Sequence, residues 1–506
     1  MKKTAFIVII ITILSKICGF LREMVLSYFY GASGITDAYL IAVSIPMVVF
    51  GFLSTGLSTA FIPIYNEVYQ KNGEKEAETF TNNMANIIIL FATVVVIAVY
   101  LFTDDIVRIF AKSFSGETLN LAVYFTRVSI FGIYGTILYH LYSSYLRIKN
   151  DYITPAVAGL PLNLMMIAFV IISSKTNSDL LIFGYLIGIL LQFALVFTFT
   201  YKKGYKFRPV LNFKDKNAYQ LLIISLPIIF GSSVNQINVM IDRTIASGVI
   251  EGGISALNYA TRLNDFVQTL FVSTVVGILF PNIAKMASEN DTEGMKKSVS
   301  EAMIMVFLVV IPAMFGFMIF SREIVTLLFG RGAFTKNAID MTSMALFYYS
   351  MGMFSAGMRE VLTRVFYAVK DTVTPVKNAF IAVIVKVILN LILSGYMGIS
   401  GLAFATSISN VFCMILMLYS FRKKFGRFGF KYIFKETFKI FFSSIIMAIV
   451  SNFAYHLLLS KFSSNISLLI AIVIAVAVYG VSVILFKVEE VNDVLEKIKK
   501  KFLLKE

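Results

Sequence analysis

The chain has 506 residues, 58% of them hydrophobic and only 15% charged, with a mean hydropathy of +0.81. So apolar a composition excludes a soluble globular protein and marks a polytopic membrane protein. The net charge of +16 is concentrated in loops between apolar stretches, so it is not a nucleic-acid signature.

A membrane crossing needs about 20 mostly apolar residues. Fourteen windows qualify, at 4–30, 36–64, 82–103, 118–146, 153–173, 180–200, 218–246, 255–284, 300–320, 338–368, 373–394, 400–421, 440–459 and 466–486. The first runs on into a long patterned segment with no small-residue cleavage site, so it reads as a retained helix. With the N-terminus in the cytoplasm, the inside segments carry 29 Lys/Arg and the outside segments 7. That asymmetry follows the positive-inside rule and places both chain ends inside. The fold class expected is an all-α polytopic membrane protein of 14 transmembrane helices. Two six-helix lobes would surround a central cavity, with a C-terminal helix pair added. The heaviest inside loops, 201–217 and 422–439, follow predicted helices six and twelve. The expected divisions are 1–216, 217–434, the pair at 435–487 and a charged cytoplasmic tail at 488–506.

An internal repeat supports the division. A shift of 218 residues lays Asp37-Ala38 on Ser255-Ala256, Ala42 on Ala260 and Pro63 on Pro281. Both copies read as a small-residue loop, a span and an aromatic-rich exit, Phe61-Ile62-Pro63 and Leu279-Phe280-Pro281. Parallel repeats about an axis along the membrane normal are one common transporter plan.

Nine cations lie within the windows: Lys16, Arg22, Arg127, Arg243, Arg262, Arg359, Arg364, Lys377 and Lys386. A cation at mid-bilayer costs about 2.5–3.5 kcal/mol or more, so it has a partner or a job. The excess over intramembrane acids points to an anionic ligand. Lys16 and Arg22 lie about 120° apart around their helix, close enough for long side chains to reach one wide cavity. Arg22 can alternatively pair with Glu23 or Asp37. Ser255, Tyr259 and Arg262 follow i, i+4, i+7 spacing on one helical face, extended by Asn258 and Asp265. A polar stripe in a membrane helix must face protein or water. Arg262 can bind a phosphate through two parallel hydrogen bonds, or pair with Asp265. Asp242 in helix seven and Lys386 in helix eleven, with Asn390 nearby, suggest a buried ion pair that is either structural or part of coupling. Arg359 and Arg364 in helix ten read as gate or interface residues. Lys377 reads as interfacial.

No Walker-type phosphate loop, nucleophilic triad or metal-ligand spacing is present, and Cys18 and Cys413 imply no disulfide framework. The chain therefore reads as a transporter without a nucleotide engine or resident cofactor, and not as an enzyme.

The motifs Gly19-Phe20-Leu21-Arg22-Glu23, Thr36-Asp37-Ala38, Phe61-Ile62-Pro63, Asn258-Tyr259-Ala260-Thr261-Arg262-Leu263 and Phe366-Tyr367-Ala368-Val369-Lys370-Asp371-Thr372-Val373-Thr374-Pro375 stand in this order. The chain thereby resembles the MurJ/MviN lipid II flippases of the multidrug/oligosaccharidyl-lipid/polysaccharide exporter superfamily. The resemblance implies a cationic cavity for the diphosphate-sugar head of undecaprenyl-linked peptidoglycan precursor. It assigns substrate positions to Arg22, Arg262, Lys16, Asp37, Ser255 and Glu23, and Tyr259 and Asn258 share their stripe. Lys16 stands where many members have Arg, and Glu23 where many have Asp. The arginine usual in helix two is absent; Phe50 and Gly51 occupy that region. The resemblance further implies a lipid-tail groove in the last two helices. By spacing, it places Asp242, Lys386, Asn390 and Thr406 at a sodium site of some members. Lys386 would replace a neutral ligand there, its ammonium standing in for sodium. The expected setting is the bacterial plasma membrane, with membrane lipids and cell-wall synthesis proteins as partners and no nucleic acid. Two alternatives remain at this point. One is a flippase for another undecaprenyl-diphosphate glycan; the other is a cation-coupled drug exporter, disfavoured by the arginine excess.

Overall fold

The computed structural model describes residues 2–289 and 291–492. Every regular element among them is helical. The chain forms two compact units, Met1–Ser255 with Arg331–Thr335, and Ala256–Gly330 with Lys336–Glu506.

The first unit holds α1 (Lys2–Tyr30), α2 (Gly34–Asn72), α3 (Glu74–Leu101), α4 (Thr103–Phe110), α5 (Gly116–Ser129), α6 (Gly132–Ile148), α7 (Ile153–Val157), α8 (Gly159–Lys175), α9 (Leu181–Lys202) and α10 (Lys216–Ala246). Helix α2 is its core element. It packs on α10, α5, α6 and α3, and Ala38, Ile41, Ala42, Ile45, Ala60 and Phe61 are fully buried along it. Helix α11 (Gly253–Val267) starts in this unit and continues in the second through a π-helical turn at Gln268–Val272.

The second unit continues with α12 (Ser273–Ser288), α13 (Thr292–Ile319), α14 (Ser321–Phe329), α15 (Lys336–Ser350), α16 (Met353–Ala368), α17 (Val373–Met397), α18 (Ile399–Phe425), α19 (Phe430–Leu458) and α20 (Ser464–Leu485). Its core includes Val299, Met303, Val310, Val361, Leu362, Phe366 and Phe421, drawn from α13, α16 and α18. The start of α19 is tied to the chain after α20. Glu436 pairs with Lys439 at 2.6 Å and accepts the Glu489 N–H at 3.1 Å, and Tyr432 donates to Glu490 at 2.8 Å. The expected tail lies outside the described residues from position 493 on.

Among the described residues ten helices are long and apolar enough to cross a membrane, or eleven if α5 and α6, bent by 42°, form one span. The window at 338–368 is interrupted between α15 and α16 at Met351-Gly352. Pro63 and Pro281 close the two repeated motifs without ending a helix. Both lie inside helices, α2 and α12, which run on to Asn72 and Ser288. A proline removes one backbone hydrogen bond but need not end a helix whose next turns are packed. Ile64, Tyr65 and Val68 beyond Pro63 are buried.

Local features recur in both units. Helix α3 ends at Leu101 and α13 at Ile319, 218 residues later, and each is followed at once by a short helix, α4 or α14. Asn150 and Lys370 both adopt φ of 61°. The next residues, Asp151 and Asp371, each accept from the N–H and hydroxyl of the threonine three residues on, Thr154 or Thr374. A left-handed non-glycine residue is uncommon, so its recurrence before the same capping arrangement carries more weight than apolar matches. In Asp371, which also meets Lys424 at 2.6 Å, burial pushes the carboxyl up, but hydrogen bonds from Lys424 and Thr374 outweigh it and hold the group below its ordinary value.

Gly252 stands at φ +77°, and a Cβ there would strike the carbonyl oxygen of Ala32. A side chain would suffer both backbone strain and a backbone clash. We expect Gly252→Ala to destabilise the protein by about 1–3 kcal/mol. Gly277→Ala, with open space around its Cβ position, is the neutral control. Thermal unfolding of the two detergent-solubilised variants checks this; equal midpoints would contradict it.

Candidate substrate-binding site

On α1, Arg22 does not stand alone. Its Nη2 meets Glu23 Oε1 at 2.5 Å, and its Nη1 donates to Asn163 Oδ1 at 3.0 Å and to Met166 Sδ at 3.4 Å, both on α8. Asn163 is itself held, its Nδ2 donating to the Gly159 carbonyl at 2.9 Å. Gly19, one turn before Arg22, faces α8, and a Cβ there would make an ordinary contact with Asn163 Oδ1 at 3.6 Å. Glu23 is buried, and the Arg22 side chain is 19% exposed. The charge at this depth is thus compensated by an acid and an amide. Lys16, further back on α1, is exposed and is not drawn into this cluster. Arg127 is also accounted for locally, its guanidinium 5.7 Å from the Tyr100 ring centre.

Asp37 lies in the first turn of α2, fully buried, and reaches the N-terminus of α11. Its Oδ2 accepts the Gly252 N–H at 2.8 Å, and its Oδ1 accepts the Ser255 N–H at 2.7 Å and the Ser255 hydroxyl. The free N–H groups of a helix start and the positive end of its dipole both favour a carboxylate there. The contact is reciprocal: Glu251 Oε1, just before α11, accepts the Gly34 N–H that opens α2, at 2.9 Å. Asp37 and Ser255 are the two residues that the 218-residue shift superposes, and they bond to each other. Arg243 fastens α10 to the same helix, its Nη1 donating to the Leu40 carbonyl at 2.6 Å. Its neighbour Asp242 is half-buried.

In the second unit, Tyr259 is fully buried with its ring 5.0 Å from Phe329. The stripe on α11 therefore divides: Tyr259 packs, Asn258 is half-buried, and Arg262 and Asp265 are exposed. On α16, Arg364 pairs with Glu360 at 2.9 Å in the i, i+4 arrangement, on a partly exposed face. Arg359 is half-buried. Helix α17 turns Asn378, Ala382, Lys386 and Asn390 inward, while Phe380, Ile384, Ile388 and Leu391 are exposed. Polar residues inside and apolar residues outside is the pattern hydrocarbon solvent demands. Lys386 is 3% exposed, a strongly buried cation. Thr406 on α18 spends its hydroxyl on the Leu402 carbonyl at 2.9 Å. Lys377 is exposed, one turn into α17. Among the described residues no group of three or more His, Cys, Asp or Glu could hold a metal ion.

Three polar partners were not read from the sequence. Asn163 serves Arg22, Glu251 serves Gly34, and Asn378 donates to Ser420 Oγ at 2.9 Å. An amide within a strongly apolar run is the available signal for Asn163 and Asn378; nothing local singles out Glu251.

The Asp37 contact has a measurable cost. Asp37→Ala leaves buried donors at Gly252 and Ser255 unsatisfied and should destabilise by about 1–3 kcal/mol. Asp37→Asn retains one acceptor oxygen and should lose less. Unfolding midpoints in detergent rank the two; a larger loss for Asn than for Ala would contradict the capping role.

The model of the family described as lipid II flippase MurJ matches residues 26–477. A protein of Thermotoga maritima named probable lipid II flippase MurJ is 26% identical over 488 residues, 96% of this chain and 97% of its own length. One of Vibrio cholerae with the same name is 27% identical over 428 residues, 82% of each chain. A solved structure of lipid II flippase MurJ in an inward closed conformation aligns with a TM-score of 0.83 at 26% identity, covering 97% of this chain and all of that one. An inward-facing multidrug resistance MATE family transporter shares the fold, with a TM-score of 0.70 at 13% identity over 83% of this chain and 98% of its own. The match along most of its length shows that the chain belongs to the MurJ lipid II flippase family.

Proposed function

We propose that this protein carries lipid II, the undecaprenyl-diphosphate-linked peptidoglycan precursor, from the inner to the outer leaflet of the bacterial plasma membrane. The observation that carries the reading is the family match across residues 26–477. The chemistry at the candidate site agrees with it. A diphosphate needs bidentate cations, which Arg22 and Arg262 can supply.

The crossings number fourteen in this reading: the eleven spans, with α5 and α6 as one, plus α1, α10 and the α15–α16 pair. Both ends lie in the cytoplasm, and lobes 1–216 and 217–434 alternate access to the substrate while 435–487 guides its tail. The meeting of Asp37 with Ser255, and the recurrence of α4 as α14, support a twofold plan. Arg22, Arg262, Lys16 and Asn258 contact the head group. Asp37, Ser255, Glu23 and Tyr259 hold those helices in place. Inside-negative potential drives the anion outward at about 2.3 kcal/mol per charge per 100 mV.

Asp242, Lys386, Asn390 and Thr406 belong to coupling in this reading, with Arg359 and Arg364 at a gate. The Lys386 ammonium fills the role of a sodium ion, so transport proceeds without sodium. Replacing sodium by potassium on both sides should leave the wild-type rate unchanged; a rate that falls with sodium removal would overturn this part.

The flipping assignment is tested in cells depleted of the protein and lacking any second flippase. Externally added enzyme that cleaves lipid II at its diphosphate should release little head group. Wild type should restore the release, and Arg262→Ala should restore at least tenfold less. Unchanged release on depletion would refute the assignment.

A further inference from the structure

The segment joining α9 to α10, residues 203–215, has no helix of its own, yet its backbone is held along its length by three asparagines of α3. Asn82 Oδ1 accepts the Arg208 N–H at 2.7 Å, and its Nδ2 donates to the Lys206 carbonyl at 3.1 Å. Asn83 Oδ1 accepts the Asn212 N–H at 2.7 Å, and its Nδ2 donates to the carbonyl of the same residue at 2.9 Å. Asn86 donates to the Arg208 and Val210 carbonyls at 3.1 and 2.9 Å. Tyr205 points inward, fully buried, and donates to Asn82 Oδ1 at 2.8 Å. The strap backbone is therefore held, and it sets where its outward side chains start.

Those side chains are of two kinds. Lys202, Lys203, Lys206, Arg208, Lys214 and Lys216 are exposed. Asp215, the lone acid of 201–217, is already engaged by the N–H of Asn217 at 2.9 Å and by Asn83 at 3.1 Å. Among the cations, Phe207, Leu211 and Phe213 stand 47%, 50% and 66% exposed. Cations interleaved with exposed apolar rings suit a bilayer interface rich in anionic headgroups.

Directly beyond the strap lies a cavity of about 300 Å³ between α2, α3, α6 and α10. Met84, Ile88 and Phe91 of α3, Phe50 of α2, and Leu222 and Ile229 of α10 line it, and Ser225 is its one polar lining residue. Its α3 wall begins at Met84, the residue after the clamping Asn83. From Asn83 to Phe91 the helix rises about 12 Å. An apolar cavity does not hold water. Phe91 and Leu222 are each 50% exposed, so the cavity opens to the surface past two large apolar side chains.

We infer that the strap and the cavity together form a binding site for one anionic phospholipid, its phosphate on the strap cations and part of one acyl chain in the cavity. The strap is an open surface, suited to a small headgroup. The site is separate from the Arg22 cluster and does not depend on the flipping assignment. Because the asparagines hold the strap before the lipid arrives, little ordering remains to be done on binding.

The test uses the full-length purified protein in nanodiscs, with a photoactivatable diazirine in the acyl chain of phosphatidylglycerol or of phosphatidylcholine. Adducts are mapped by mass spectrometry. The phosphatidylglycerol probe should label 84–91 and 221–229 at least threefold more than the phosphatidylcholine probe. The triple variant Lys206→Gln, Arg208→Gln, Lys214→Gln should bring the two probes level. Equal labelling of the wild type by both probes, or adducts confined to other segments, would overturn the site. So would displacement of the label by undecaprenyl diphosphate but not by unlabelled phosphatidylglycerol, which would make it a substrate site. The comparison of probes on the wild type stands even if the triple variant fails to fold.

Discussion

Hydrocarbon offers no hydrogen-bond partner, so each polar group placed at membrane depth must find one within the chain. That constraint organises both units. It explains why Arg22 is braced by Glu23 and Asn163, and why Asp37 sits on the start of α11. It also explains why α17 carries its asparagines and lysine on the inner face. The apolar residues that would form the core of a soluble protein are spread over the outer surface, as Ile384, Ile388 and Leu391 show.

The same constraint limits how an anion can be received. Arg22 is compensated in this structure, so a diphosphate there must compete with the Glu23 carboxylate. That competition lowers affinity, which a carrier needs if it is to release its load. Arg262 is exposed and lies three residues from the acid Asp265. A ligand shifts a conformational equilibrium only by its difference in affinity between states. In the proposed reading, partner exchange at the two arginines would supply such a difference without a nucleotide. With Phe50 and Gly51 where the family resemblance leads one to expect an arginine, the proposed reading leaves more of the recognition to Arg22 and Arg262.

Much of this was legible before any coordinates. Hydropathy located the ten or eleven spans found among the described residues, because burial in lipid is a property of each segment by itself. The 218-residue superposition of position 37 on 255 was legible from residue type and spacing, but not that the two residues bond to each other. Of the nine cations singled out only Lys386 is buried, while Lys16, Arg127, Arg262, Arg364 and Lys377 are exposed. Partner choice was not legible. Asn163 lies 141 residues from Arg22, and no local pattern joins them. The strap asparagines at 82, 83 and 86 look like a polar helix start until the strap is seen against them. How far the helices run beyond Pro63 and Pro281 was not legible either, since both prolines are carried inside packed helices. The break at Met351-Gly352 has no proline to announce it.

In the proposed reading this chain moves lipid II by itself, with cations at membrane depth receiving the diphosphate. The direct measurement places purified protein in liposomes containing fluorescent lipid II and asks whether lipid in the inner leaflet becomes accessible to an impermeant quencher. The account predicts that wild type exposes the protected pool. The double variant Arg22→Ala, Arg262→Ala, with an unchanged unfolding midpoint, should leave it protected. Equal exposure by wild type and the double variant would contradict the account.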